Sequence, residues 1–286
     1  MALKILADSA SDLPLNFFSD HNVTLFPLNV HLDDKEYADL IEIEPSQVYQ
    51  AIRDGKIPKT SQVSPHLFEE VFSKMAKNKE AGIYIAFSSQ LSGTYSTAVM
   101  IFNQVKEQYP DFDLTIIDTK CASIGQGLVV LEAAKLAQQN ASKETIIEDV
   151  KFRSQHMEHL FTVNDLEYLA KGGRVSKASA FLGGLLNIKP LLNVDDGKLV
   201  PLEKLRGKKK LMHRVIEIMK ERGSRLDIQQ IGISHADNEE AALEIKKMIQ
   251  QEFGTEHIVI TDIGAVIGAH VGPGTMAIVF LNKIPS

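Results

Sequence analysis

Three segments of the chain place hydroxyl or carboxyl side chains immediately before a predicted helix. They are DSASD at 8–12, KTSQVSP at 59–65 and FSSQLSGT at 87–94. Hydroxyl groups and unpaired backbone amides at a helix start can bind a carboxylate or a phosphate without a lysine or arginine. The same residue types also serve as ordinary helix caps, so each segment alone is weak evidence for a ligand site. Two such loops at one sheet edge would be stronger evidence.

The last apolar segment of the chain holds a histidine followed by a glycine-proline-glycine turn. Residues 263–282 carry no formal charge and could be mistaken for a membrane span, but Gly272, Pro273 and Gly274 would break a helix across its centre. We therefore expect no integral membrane segment, but a loop or short helix followed by a buried strand. His270 alone is more typical of a core residue, although beside an acidic ligand it would donate a hydrogen bond.

Composition and missing motifs argue against several classes of protein. The 31 Lys and Arg against 37 Asp and Glu give a net charge of −6, so we expect no general nucleic-acid binding. There is no GxGxxG after the first apolar run, no P-loop, no GxSxG and no HExxH, and we expect no cofactor. His156 and His159 lie in a polar stretch, and we expect no metal there. The single cysteine, Cys121, excludes an internal disulfide and fits a reducing, cytoplasmic location.

One group of basic residues contrasts with the negative net charge. Lys204 and Arg206 are followed by Lys208, Lys209 and Lys210. The group is typical of a solvated helix start, and it also suits a surface that docks on an acidic protein, a phosphate or an anionic membrane. The sequence leaves these uses open.

The order of apolar runs predicts an α/β protein. Short strand-like runs alternate with helical patterns, which is typical of parallel α/β units. The predicted strands are 3–7, 81–87, 114–118, 230–234, 257–262 and 276–281, and the predicted helices are 45–55, 65–77, 94–109 and 127–139. In such folds the loops after the strands carry the ligand site.

A change of composition predicts two domains. The polar stretch 140–155 places a boundary near its end, so residues 1–155 form an N-terminal α/β domain with a parallel sheet and residues 156–286 form a C-terminal α/β domain. In the second domain, Asp-Gly at 196–197 between two apolar runs predicts a β-hairpin.

Six segments of the chain form an ordered set that points to a protein family. They are DSASDLP at 8–14, KTSQVSP at 59–65, SSQLSGTY at 88–95, LEYLAKGGRVSK at 166–177, IKPLL at 188–192 and HVGPG at 270–274. The set resembles the DegV family of bacterial fatty-acid-binding proteins and spans essentially the whole chain. The resemblance implies a two-domain, DegV-like α/β fold that holds a long-chain fatty acid in an apolar tunnel, with the carboxylate near the domain interface.

The resemblance also implies which residues bind the ligand. They are Thr60, Ser61, Ser92, Gly93, Arg206 and His270. Gln90 departs from the family, since many relatives have glycine before the leucine, and it could change the local backbone without removing Ser92. The apolar run 178–186 would be a helix that lines the tunnel or an ordinary core helix.

Some family members present the bound lipid to a fatty acid kinase, which uses ATP to convert the carboxyl group to an acyl phosphate. By this analogy the protein is a cytoplasmic carrier and not itself an enzyme. The residues expected to dock the partner or steady the acyl phosphate are Arg174, Lys208, Lys209 and Lys210.

Two other functions stay open at this stage. An enzyme acting on a small carboxylated or phosphorylated metabolite would use Ser92 as nucleophile and His270 as base, although the sequence has neither a nucleophile elbow nor an evident acid to orient His270. A regulatory protein would sense lipid and bind another macromolecule through the basic group at 204–210.

Overall fold

The computed structural model describes residues 3–175 and 188–285. Its strands are β1 (Lys4–Asp8), β2 (Val23–Phe26), β3 (Asn29–Leu32), β4 (Lys35–Ala38), β5 (Lys59–Ser61), β6 (Gly82–Ala86), β7 (Leu114–Asp118), β8 (Met157–Thr162), β9 (Ile188–Asp195), β10 (Lys198–Arg206), β11 (Ile231–His235), β12 (Ile258–Asp262) and β13 (Met276–Leu281). Its helices are α1 (Leu15–Asp20), α2 (Pro45–Arg53), α3 (Pro65–Lys77), α4 (Thr94–Gln108), α5 (Ile124–Gln138), α6 (Lys143–His156), α7 (Leu166–Lys171), α8 (Lys208–Arg222), α9 (Glu239–Phe253) and α10 (Ala265–Val271). The helix predicted in the apolar run 178–186 lies outside the described residues.

A parallel sheet in the order β2-β1-β6-β7 forms the centre of the N-terminal half, as predicted. Its strands are buried on both faces, because Leu6 and Tyr84 belong to the core on one side and Ile5 and Ile83 to the core on the other. Strands covered on both faces by other elements are continuously apolar rather than alternating. This explains why every residue of β6, GIYIA, is buried.

The second sheet is mixed, in the order β10-β9-β8-β13-β11-β12. Only β11 and β12 pair in parallel, and β13 runs antiparallel to both of its neighbours. The expectation of parallel units is therefore wrong for β13: Gly272 and Gly274, both at positive φ, let the chain turn back after α10. The predicted hairpin is confirmed, since β9 and β10 pair antiparallel across a turn in which Asp196 and Gly197 have positive φ.

A small antiparallel sheet, β4-β3-β5, was not predicted from the sequence. Its strands have only three or four residues each, and polar residues interrupt them, so their apolar pattern is too short to detect. Residue Thr60 on β5 pairs with Val30 on β3. This sheet therefore holds the start of the 59–65 segment against β3.

Helix α10 links the two halves of the molecule. Its Ala265, Val266 and Ala269 pack in the same core as Leu6 and Tyr84 of the first sheet. Residues 263–282 thus form a short helix, a turn and a fully buried strand, as predicted. No helix within the described ranges is long and apolar enough to cross a membrane.

The molecule is thus a two-domain α/β protein, with a parallel sheet followed by a second sheet that contains the hairpin. Helix α6 connects the two sheets, and β8, which follows it, already belongs to the second one. The exact boundary at residue 155 stays a prediction.

Candidate functional site

A cavity of about 240 Å³ is lined by residues from both halves of the chain. Most of its wall is apolar, and this wall includes Leu28, Phe87, Leu91, Phe161, Ile263 and Val266. Polar groups from several segments interrupt this wall. Cavities of this composition bind ligands with a long apolar part and a small number of directed polar contacts.

The polar lining of the cavity includes residues from three separate segments that the sequence singled out. Thr60, Ser61, Ser92, Gly93 and His270 all line the cavity. The Thr60 hydroxyl lies 2.7 Å from Nε2 of His270, although the two residues are 210 positions apart in sequence. The structure therefore brings together five of the six residues expected to bind the ligand.

Short-range contacts hold the hydroxyl groups in place. On β5, the Ser61 hydroxyl is 2.9 Å from Nε2 of His31. At the start of α4, the Ser92 hydroxyl accepts a hydrogen bond from the backbone amide of Thr94 at 3.2 Å and lies 2.9 Å from its hydroxyl. Ser92 thus precedes Gly93, the N-cap residue of α4, and binds the first helical amide while it also lines the cavity.

Gly93 is required by close packing rather than by its backbone angle. A Cβ atom at this position would collide with the side-chain carboxamide of Gln62. Gln62 is in turn fixed by a 2.7 Å hydrogen bond from its Nε2 to the Thr97 hydroxyl. The glycine thus lets the 59–65 and 87–94 segments approach each other at the cavity.

His270 is a neutral hydrogen-bonding group in this setting. Burial, together with the positive charge of Arg174, lowers the pKa of His270 to about 4, although a hydrogen bond to the backbone of Gly172 acts in the opposite direction. At pH 7 the imidazole is therefore uncharged. A carboxylate bound beside it would favour the protonated form and raise this pKa.

The structure separates Arg206 from the other expected ligand-binding residues. It is exposed at the end of β10 and is not among the described residues that line the cavity. Arg174, which is expected to dock a partner, is exposed and also lines the cavity. Its Nε donates to the Leu91 carbonyl at 3.4 Å, and its Nη1 to the Gly172 carbonyl at 2.8 Å.

The basic residues after Arg206 begin α8 and are exposed. The Lys208 ammonium lies 2.7 Å from the Glu244 carboxylate, and both side chains are about half exposed. A surface pair of this kind contributes little stability and leaves the side chains accessible. The placement suits a docking surface, with Lys209 and Lys210 beside Lys208.

The sequence suggested that the DSASD segment at 8–12 caps a helix, but in the structure it does not. Neither the 3₁₀ turn at Ser9–Ser11 nor α1 has a side-chain cap. Asp8 is fully buried instead and accepts hydrogen bonds from the Tyr84 hydroxyl and the Phe87 amide, both at 2.9 Å. Burial raises the pKa of Asp8 to about 6, because these hydrogen bonds offset only part of the effect of burial.

A buried carboxyl group holds the start of α10. Asp12 accepts a hydrogen bond from the Gly264 amide at 2.9 Å and another from the Ser123 hydroxyl. Asp39 is buried as well. Burial raises the pKa of Asp12 to about 8 and that of Asp39 to about 6. The sequence indicated Asp12 only as part of the 8–12 segment and did not predict its burial, and it did not indicate Asp39.

The geometry does not support activation of Ser92 as a nucleophile. Its hydroxyl contacts Thr94, whereas His270 contacts Thr60. A serine nucleophile needs a hydrogen bond to its base and a third group that orients the base. Within residues 3–175 and 188–285, no group of three or more His, Cys, Asp or Glu side chains could hold a metal ion.

Comparison with known proteins finds one family that matches nearly the whole chain. Residues 2–283 match the family model described as "Uncharacterised protein, DegV family". A DegV domain-containing protein of Clostridium perfringens is 38% identical over 97% of this chain and 97% of its own length.

Solved structures also match over nearly the full length. A DegV family protein from Thermus thermophilus, described for its fatty acid binding, has a TM-score of 0.89 and 30% identity, covering 98% of this chain and all of that one. DegV from Bacillus subtilis, described as a fatty acid binding protein, has a TM-score of 0.86 and 30% identity, covering 99% of this chain and all of that one.

Proposed function

The chain belongs to the DegV family, and we propose that it binds a long-chain fatty acid, with the acyl chain in the apolar cavity and the carboxylate beside Thr60, Ser92 and His270. The observation that carries the proposal is that these three polar side chains all line one mostly apolar cavity, where the Thr60 hydroxyl lies 2.7 Å from Nε2 of His270. Structural relatives of similar length are described as fatty-acid-binding proteins.

The polar groups suit a carboxylate for a physical reason. A carboxylate that leaves water for an apolar site loses hydration, which is costly unless hydrogen bonds replace it. The hydroxyls of Thr60, Ser61 and Ser92, the amide of Gly93 and the imidazole of His270 can supply those bonds. Because they are uncharged at pH 7, they would hold the head group less tightly than a buried bidentate arginine would.

We further propose that the protein presents the bound fatty acid to a partner kinase and does no chemistry of its own. In that step a carboxylate oxygen forms a bond to the γ-phosphorus of ATP, the bond from this phosphorus to the bridging oxygen breaks, and ADP leaves with the electron pair. The kinase supplies ATP, so the carrier needs no cofactor. Arg174, Arg206 and the exposed Lys208–Lys210 are the proposed docking residues, and the reaction would take place in the cytoplasm.

Lipid binding is tested by solvent extraction of the purified protein and mass spectrometry, together with fatty acid titration. We expect bound long-chain fatty acid, and Ser92→Ala should weaken binding about tenfold, because one hydrogen bond to a charged group is lost. Ser46→Ala, at an exposed position on α2, is the control. Protein that is always empty and does not bind fatty acid would refute the proposal. Intact binding with lost turnover in Ser92→Ala would instead indicate an enzyme.

Partner docking needs a separate test. Reversing the charge of Lys209 and Lys210 to Glu should leave fatty acid affinity unchanged and abolish acyl-phosphate formation with the kinase, because the two cations stand on an exposed surface. Lys77→Glu on α3 is a matched control with an exposed lysine. Full acyl-phosphate formation by the double variant would exclude these residues from the docking surface.

A further inference from the structure

A second hollow lies on the other side of the His270 and Thr60 pair. This groove, of about 610 Å³, shares Thr60, Arg174 and His270 with the fatty acid cavity. The cavity and the groove therefore adjoin at these shared side chains. A ligand head group held by Thr60 and His270 is therefore next to the groove as well.

The groove carries an excess of positive charge in a chain with a net charge of −6. Its described lining includes the cations Lys56, Lys59, Lys171 and Arg174, with Asp165 as the one acidic residue. The Asp165 carboxylate is occupied, since it accepts hydrogen bonds from the amides of Glu167 and Tyr168 at the start of α7. Lys56 is paired with Asp33.

Two of these cations have no carboxylate partner among the described residues. They are Lys59 and Lys171, and both are exposed. They come from separate elements, because Lys59 begins β5 and Lys171 ends α7. The positive charge is thus a property of the groove and not of one helix surface.

Apolar side chains line the groove between the cations. They include Ile57, which is 72% exposed, the buried Pro58 and Tyr168. Low-dielectric walls concentrate the field of nearby charges, so an anion here interacts more strongly than on an open surface. The combination favours an anion that is attached to a lipid.

We propose that this groove binds the phosphoryl group of a single-chain lipid phosphate whose acyl chain occupies the cavity, with Lys59 and Lys171 as the distinguishing contacts. The inference rests on the proposed fatty acid binding. Phosphorylation of the carboxylate changes the head group from one negative charge to about two and adds three acceptor oxygens. The neutral groups at Thr60, Ser92 and His270 suit the carboxylate, and the groove supplies the cations that the larger anion needs.

The experiment compares two probes that share the same chain, hexadecanoate and hexadecyl phosphate, by titration into the full-length protein. Lys59→Gln and Lys171→Gln should each weaken hexadecyl phosphate binding about fivefold, the size of an exposed ion pair, and change hexadecanoate affinity less than about twofold. Lys77→Gln, an exposed lysine on α3, should change neither. Raising the salt concentration should reduce the difference between wild type and the two variants.

The outcomes separate the two proposals. If wild-type protein does not bind hexadecanoate, the proposed fatty acid binding is wrong, and the proposal for the groove, which rests on it, falls as well. If hexadecanoate binds but both lysine variants bind hexadecyl phosphate as wild type does, only the groove is wrong. Equal losses for both probes would also overturn it, because the lysines would then support the carboxylate or the fold.

Discussion

The free energy of unfolding of this protein is expected to fall as the pH rises above neutral. Replacing Asp12 by asparagine should make this fall much smaller. Asp12 is only 4% exposed, and its carboxyl group bonds to the Gly264 amide and the Ser123 hydroxyl. Its pKa of about 8 means that the folded protein keeps this carboxyl group protonated at neutral pH. Asparagine has the same shape and is also neutral, so it can keep the contact with the Gly264 amide.

The size of the effect follows from proton binding. In the unfolded chain the Asp12 carboxyl has its ordinary pKa of 3.8 and is ionised at neutral pH, whereas the folded protein loses this proton only near pH 8. The folded state therefore binds more protons, and the free energy of unfolding falls as pH rises. Between about pH 6.5 and about pH 8.5 this fall amounts to about 2 kcal/mol. Asp8 and Asp39, with pKa values of about 6, lose most of their protons below this window.

Urea unfolding at several pH values across this window measures the effect. The difference between Asp12→Asn and wild type should grow with pH in favour of the variant. Asp111→Asn, at an exposed site, is the control and should follow wild type. A variant whose stability falls as steeply as that of wild type would refute the assignment of a protonated Asp12.

Two further predictions concern the ligand site and the hairpin. His270→Ala should weaken fatty acid binding about tenfold in a titration, because a buried contact to the carboxylate is lost, whereas His66→Ala, whose side chain is 95% exposed, should not. Gly197→Ala should lower the free energy of unfolding by about 1–3 kcal/mol, because its positive φ and the nearby Ser88 side chain both oppose a Cβ atom. Gly55→Ala is the control, because Gly55 has a similar φ but no neighbour within 4 Å of an added Cβ atom. If Gly55→Ala lowers the free energy of unfolding as much as Gly197→Ala does, the contact with Ser88 adds nothing.

The sequence predicted those parts of the fold that depend on local patterns. Strands β1, β6 and β7 of the parallel sheet and the hairpin were predicted because continuous apolar runs and Asp-Gly are local signals, whereas the four-residue strand β2 was not predicted. The direction of β13 was wrong, because strand order and direction depend on contacts between distant segments. The β4-β3-β5 sheet was missed, because its short strands have too few apolar residues to show a period.

The residues of the candidate site were predicted only in part, and mainly from the family resemblance. Thr60, Ser92 and His270 were found through the family resemblance, and the structure places them together at the cavity. Arg206 was assigned to the same site, but its exposed position at the end of β10 sets it apart. The burial of Asp12 was not predictable from sequence, because it depends on the Gly264 amide, which is 252 positions away.

The contacts that shape the site join opposite ends of the polypeptide, and this has a consequence for biosynthesis. Thr60 meets His270 across 210 positions, and Tyr49 bonds to the Ile263 carbonyl across 214. A ribosome makes the chain from its N-terminus, so the first half can fold before α10 exists. The head-group site can therefore form only when nearly the whole chain has been released. On the proposed function, lipid binding would therefore distinguish finished molecules from incomplete ones.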